Sequence, residues 1–224
     1  MDYTYLLVVA GALIAACASA VVNMTFNKYK TYVNHQGYTA EQVAEIILKD
    51  AGINDVAISR VKGDLTDHYS PREKVLRLSD TVYGSTSVGA IGVAAHECGH
   101  AIQHHKGYLP LTLRSMSVPL ANIGSRISVP LIIIGLMLGF AGLANLGMIL
   151  FSFILAFEII TLPVEFNASY RALNILKSKN ILDESELKGA SKVLTAAAMT
   201  YVAAVITTSL QLLRFVILSR SRKN

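Results

Sequence analysis

Residues 93–105 read VAAHECGHAIQHH, which places four of the chain's six histidines within ten positions, with Glu97 among them. His96, Glu97 and His100 spell H-E-x-x-H. On an α-helix, positions i and i+4 are about 400° apart, so both imidazoles leave nearly the same face and can bind one metal ion. Glu97 departs about 100° from His96, too far round to join that pair but able to reach a water on the metal. Zinc held by three protein ligands keeps one position open, polarises a carbonyl and brings the pKa of its water toward about 7. A neighbouring carboxylate can then take the water's proton and pass it to a leaving amine. The competing explanation is a polar helix face rich in histidine. Cys98, inside the motif, reads as a small buried apolar residue rather than a ligand or nucleophile.

A third ligand has to come from elsewhere. His104 would extend the same stripe, but three histidines along one straight helix cannot all converge tetrahedrally on one ion. His104 and His105 suit a helix end near the negative pole of its dipole. Glu165, in LPVEFNAS, is the better candidate; it follows Pro163, whose ring obstructs the preceding turn and can redirect the chain. Glu158 competes from seven residues earlier on the same helical face, either as a functional acid or as a carboxyl hydrogen-bonded within a bundle. Glu165 is preferred because the ligand must reach a helix outside the membrane.

The elements that must position these residues follow from an unusually apolar chain. Of 224 residues, 53% are hydrophobic and 16% charged, and mean hydropathy is +0.47. Residues 3–27, 127–157 and 193–213 carry no charge, and each run is long enough to cross a hydrocarbon core of roughly 30 Å. The first lacks the basic region of a signal peptide and exceeds its roughly 7–15-residue apolar core, so it is expected to remain as an anchor. The expected fold class is a mainly α membrane protein with about four transmembrane helices and a small α+β zinc-protease domain at the membrane surface. Its expected parts are an anchor at 3–27, a surface domain at 28–115, a membrane hairpin at 116–164, a helix with the third ligand at 165–192 and a last span at 193–218. Within the hairpin, helices are expected near 119–142 and 146–164.

In the surface domain, Thr39 and Gln42 form a capping box for TAEQVAEIILKDAG. VAISRV (56–61) and KVLRLS (74–79) read as strands. Ser85 or Ser87 can cap the motif helix, which Gly107 terminates. Asp183 and Glu186 form a further capping box. The net charge of +5 lies beside apolar spans and suits lipid headgroups and topology rather than nucleic acid. Two cysteines make no disulfide framework.

These residues resemble a known family, the YugP-type neutral zinc metallopeptidases of bacterial membranes, and more distantly the HtpX and CAAX-prenyl-protease gluzincins. LTDHYSPREKVLRLSDTVY, VAAHECGHAIQ and LPVEFNAS carry the resemblance. It implies one zinc ion per chain, His96, His100 and Glu165 as ligands, and Glu97 as base. The distant relatives place an aspartate four residues after the ligand glutamate, where it orients a zinc-bound histidine; here that position is Ser169, which supplies no charge. Gluzincin-like sites bind substrate as an extra strand on a sheet edge, which nominates Val75, Leu76, Arg77 and Leu78. His68 and Tyr69 are candidates to stabilise an oxyanion. Protein or peptide substrates and a bacterial plasma membrane are implied; oligomeric state is not.

A metal shared by His96, His100 and Glu165 requires an even number of crossings between them, which the hairpin supplies. Ten Lys and Arg in 28–114 and five in 165–192 put the site on the cytoplasmic side by positive-inside logic. Arg214, Arg220, Arg222 and Lys223 weigh against it. The leading expectation is a membrane-embedded zinc endopeptidase; a metal-binding scaffold without catalysis and a transporter using Glu158 and Arg126 are the other classes.

Overall fold

The computed structural model describes residues 3–221; Arg222 and Lys223, which enter the charge argument above, lie outside the described residues. The elements in chain order are α1 (Tyr5–Tyr29), α2 (Ala40–Asp50), β1 (Ala57–Val61), β2 (His68–Ser70), β3 (Val75–Ser79), α3 (Val88–His105), α4 (Leu109–Met137), α5 (Ala141–Ser178) and α6 (Glu184–Ser221). Helices α1, α4, α5 and α6 are each long and apolar enough to cross a membrane. The protein is therefore a mainly α integral membrane protein with a small α+β part.

Two compact units share these helices. Among the described residues, one comprises 3–19, 112–163 and 199–221, the other 20–111 and 164–198. Helix α4, most of which lies in the first unit, begins at Leu109 rather than near 119. Pro110 falls in its first turn, where amide hydrogens have no helical acceptor in any case. Pro119 and Pro130 lie inside the helix, as membrane helices tolerate when neighbouring groups satisfy the freed carbonyls. Gly139, at φ +68°, makes the turn into α5, a left-handed conformation that disfavours a Cβ. Small residues let the hairpin close: a Cβ on Gly124 would stand 2.6 Å from the Leu150 carbonyl oxygen. Phe151 and Phe215 meet edge to face at 5.4 Å between centroids. The Thr208 hydroxyl donates to Glu158 Oε1 at 2.9 Å, so Glu158 sits in this helical unit.

The second unit is built on α2, α3 and a three-stranded sheet. Thr39 and Gln42 close the expected capping box on α2, a device whose loss costs about 1 kcal/mol. Val43, Ala44, Ile47 and Leu48 form the buried face of α2, and Leu76 and Leu78 of β3 are fully buried. Strand β3 is central: it pairs parallel with β1 and antiparallel with β2. Ser87 caps α3, its hydroxyl accepting from the Ala90 amide at 3.2 Å. Most of α3 is buried, which explains its run of Ala and Gly: a helix covered all round carries little polar surface. The helix carrying Glu165 ends at Ser178, and Asp183 caps α6, accepting from the Glu186 amide at 2.8 Å while Glu186 accepts from the Asp183 amide at 2.9 Å.

Candidate active site

The i, i+4 spacing on α3 sets His96 and His100 on one face, their rings perpendicular at 85° with centroids 4.7 Å apart. Glu165 comes from α5 within the same unit and is 3% exposed. Its Oε2 lies 3.3 Å from His96 Nε2 and 3.6 Å from His100 Nε2. Ligand atoms from the three residues all lie within 4.8 Å of one another. Two donors each about 2.0–2.1 Å from a tetrahedral zinc stand roughly 3.4 Å apart, so this set fits the ion. Burial disfavours the charged form of His100, but Glu165 and Glu97 outweigh it and move the imidazole pKa up.

The close approach of α5 to α3 depends on Gly99 within the motif. A Cβ there would stand 2.6 Å from the Ala168 carbonyl oxygen and 3.1 Å from its Cα. Gly99→Ala is expected to force the ligand helices apart and destabilise the protein by about 1–3 kcal/mol, the usual cost of overpacking. Thermal unfolding in detergent measures it; an unchanged melting temperature would mean the helices separate freely.

The far nitrogen of each imidazole is engaged. His96 Nδ1 lies 3.0 Å from Ser169 Oγ, so Ser169 does reach a histidine of this group. His100 Nδ1 lies 3.1 Å from Gln103 Oε1. If each Nδ1 carries the ring proton, these partners leave both Nε2 lone pairs free for a metal ion. Glu97 is buried, and its Oε2 accepts the Tyr69 amide hydrogen at 3.0 Å. Cys98 points elsewhere, its thiol 3.7 Å from the Ala44 carbonyl, and burial raises its pKa.

Several sequence expectations are corrected. Val75, Leu76, Arg77 and Leu78 do not offer a free edge, because both sides of β3 are paired. The edge beside α3 is β2, whose three residues are too few for sequence periodicity to show. Side chains alternate along a strand. Tyr69 turns toward α3, its hydroxyl 2.9 Å from His104 Nδ1, and His68 therefore points to the opposite face. His68 is exposed, with Nδ1 bonded to the Thr66 carbonyl at 2.8 Å. His104 is exposed and stands outside the metal-binding group. Gln103 and Asn167 were missed; the one available signal was Gln103 at i+3 from His100. Asp67 holds the end of β3, accepting from the Ser79 amide at 2.7 Å and hydroxyl at 2.8 Å; burial raises its pKa.

Comparison with known proteins adds the family. Residues 4–220 match the family model described as "Putative neutral zinc metallopeptidase". The chain belongs to this family. It is 43% identical over 212 residues to "Putative membrane protease YugP" of Bacillus subtilis (strain 168), covering 95% of this chain and 94% of the relative. No solved structure matches it. For a member of a zinc metallopeptidase family, His96, His100 and Glu165 are the candidate metal group. A second group of donors, His35, Asp183 and Glu186, is already occupied in capping: Glu186 accepts from the His35 amide at 2.6 Å as well as from Asp183.

Proposed function

We propose that the protein is a membrane-embedded zinc endopeptidase that hydrolyses peptide bonds of membrane or membrane-proximal proteins. The observation that carries this reading is the buried carboxylate of Glu97 next to three convergent metal donors supplied by α3 and α5. His96, His100 and Glu165 hold one ion per chain. When bound, zinc supplies Lewis-acid polarisation of the scissile carbonyl and acidifies the attacking water.

The remaining work falls to the chain itself. The Tyr69 amide holds Glu97 through Oε2, leaving its other oxygen to take the water's proton and deliver it to the leaving nitrogen. An extended substrate adds along β2, an edge strand of the sheet, through the main-chain groups that the Tyr69–Glu97 bond leaves available. Tyr69, backed by His104, is the candidate to stabilise the oxyanion. Ser169 holds His96 through an uncharged hydroxyl at Nδ1. The surface segments 28–115 and 165–192 act together, joined by the hairpin 116–164 and flanked by the spans 3–27 and 193–218. The excess of Lys and Arg in these surface segments supports a site facing the cytoplasm of a bacterial plasma membrane.

Metal removal tests the reading. Exhaustive chelation is expected to abolish cleavage of an unfolded test protein, and one equivalent of zinc to restore it. Undiminished cleavage after measured loss of metal overturns the proposal.

A further inference from the structure

Gln103 is fully buried at the motif helix, 0% exposed, yet it is neither a metal donor nor the base. A buried amide persists only where its hydrogen bonds are made, and here the partners are informative. Its Oε1 faces His100 Nδ1 at 3.1 Å. Its Nε2 donates to the Val164 carbonyl at 2.8 Å and to Asn167 Oδ1 at 3.1 Å. Asn167 Oδ1 also accepts from Arg171 Nε at 2.7 Å.

The direction of every bond in this chain is forced from its far end. A guanidinium only donates and keeps its proton at any working pH. Asn167 must therefore present oxygen to Arg171, and that same oxygen requires a donor from Gln103. The Val164 carbonyl makes the same demand. Reversing the Gln103 amide would set its oxygen against two other oxygens, so Oε1 must face His100. An acceptor at that position keeps the proton of the neutral imidazole on Nδ1 and the lone pair on Nε2, which faces Glu165. The Val164 bond also ties α3 to the residue just before Glu165.

We infer that Arg171, Asn167 and Gln103 form a polarity relay that holds His100 in its metal-binding tautomer, with Gln103 the positioning residue between the two ligand helices. This rests on the zinc reading above. It assigns a role to three residues that touch neither metal nor substrate, and it explains a neutral partner where a carboxylate is the common alternative.

The test is zinc affinity, measured by chelator competition on the full chain in detergent, beside the melting temperature of the metal-free protein. Gln103→Met keeps the volume but loses both bonding functions, and should weaken zinc by about 10–100-fold, the range for loss of such a partner. Gln103→Glu keeps an acceptor for His100 while losing the donors to Val164 and Asn167. It should restore zinc affinity to within about threefold of the parent (roughly 0.6 kcal/mol at RT ≈ 0.59 kcal/mol), although its melting temperature falls at least as far as that of Gln103→Met. Arg171→Met, remote from the ion, should weaken zinc by a smaller but measurable factor. A Gln103→Met protein that binds zinc like the parent overturns the inference, as does a Gln103→Glu protein as weak as Gln103→Met, since affinity would then follow stability alone. An unchanged Arg171→Met overturns the relay. His100→Ala separates the two levels. If it loses zinc while Gln103→Met retains it, only this inference fails; if the parent itself binds none, the zinc reading fails and this falls with it.

Discussion

Glu97→Gln is expected to keep its zinc and to lose peptide cleavage by about 10²–10⁴-fold, the contribution of a positioned general base. The substitution is nearly isosteric, and the amide oxygen can still accept the Tyr69 amide hydrogen that Glu97 Oε2 accepts now at 3.0 Å. His96, His100 and Glu165 are untouched, so the metal group survives. What disappears is the capacity to take a proton from water and return it to the leaving nitrogen. Metal analysis and cleavage of an unfolded substrate, made on the same preparation, separate the enzyme from a metal-binding scaffold. Retained zinc with normal cleavage would remove Glu97 from the chemistry. Retained zinc with no cleavage in parent or variant would favour the scaffold.

The second large effect is at Glu165. Its carboxylate oxygen sits 3.3 and 3.6 Å from the two imidazole Nε2 atoms, and Glu165→Ala leaves only two protein donors. Zinc affinity should fall by more than the roughly 10–100-fold expected for an outer hydrogen-bond partner. Glu158→Ala and His104→Ala should retain one zinc per chain. Glu158 is bonded to Thr208, and His104 to Tyr69. Full zinc in Glu165→Ala, with loss in either of the others, would overturn the ligand assignment.

These expectations differ in how they could be read from the chain. Helix α2 was legible because Thr39 and Gln42 cap it locally, and α3 because Ser87 and Gly107 bound a run of small residues. Strands β1 and β3 begin one residue later than their alternation suggests. Helix α4 begins at Leu109, ten residues before the expected position, and runs through Pro119 and Pro130. In hydrocarbon the helix is the cheapest way to satisfy the backbone.

The rank of strands in the sheet was not legible at all. KVLRLS carries the stronger strand pattern, and that strength reflects its central, doubly paired position; the edge is the short HYS, whose strand character exists only through pairing with β3. Local sequence records how apolar a strand's surroundings are, and says nothing about which neighbour flanks it.

By itself, the sequence determined the motif spacing, the four apolar helices and the requirement for a partner to His96 and His100, because helical periodicity and span length are properties of consecutive residues. Only the tertiary structure decided which groups meet those histidines: it brings Glu165, which the sequence already favoured, to both Nε2 atoms, sets Ser169 and Gln103 at the far nitrogens, and places β2 beside Glu97. Apart from the local Gln103–His100 pair, those contacts join residues some 28 to 73 positions apart, and those between α3 and α5 exist because the two helices approach over Gly99 with no Cβ between them.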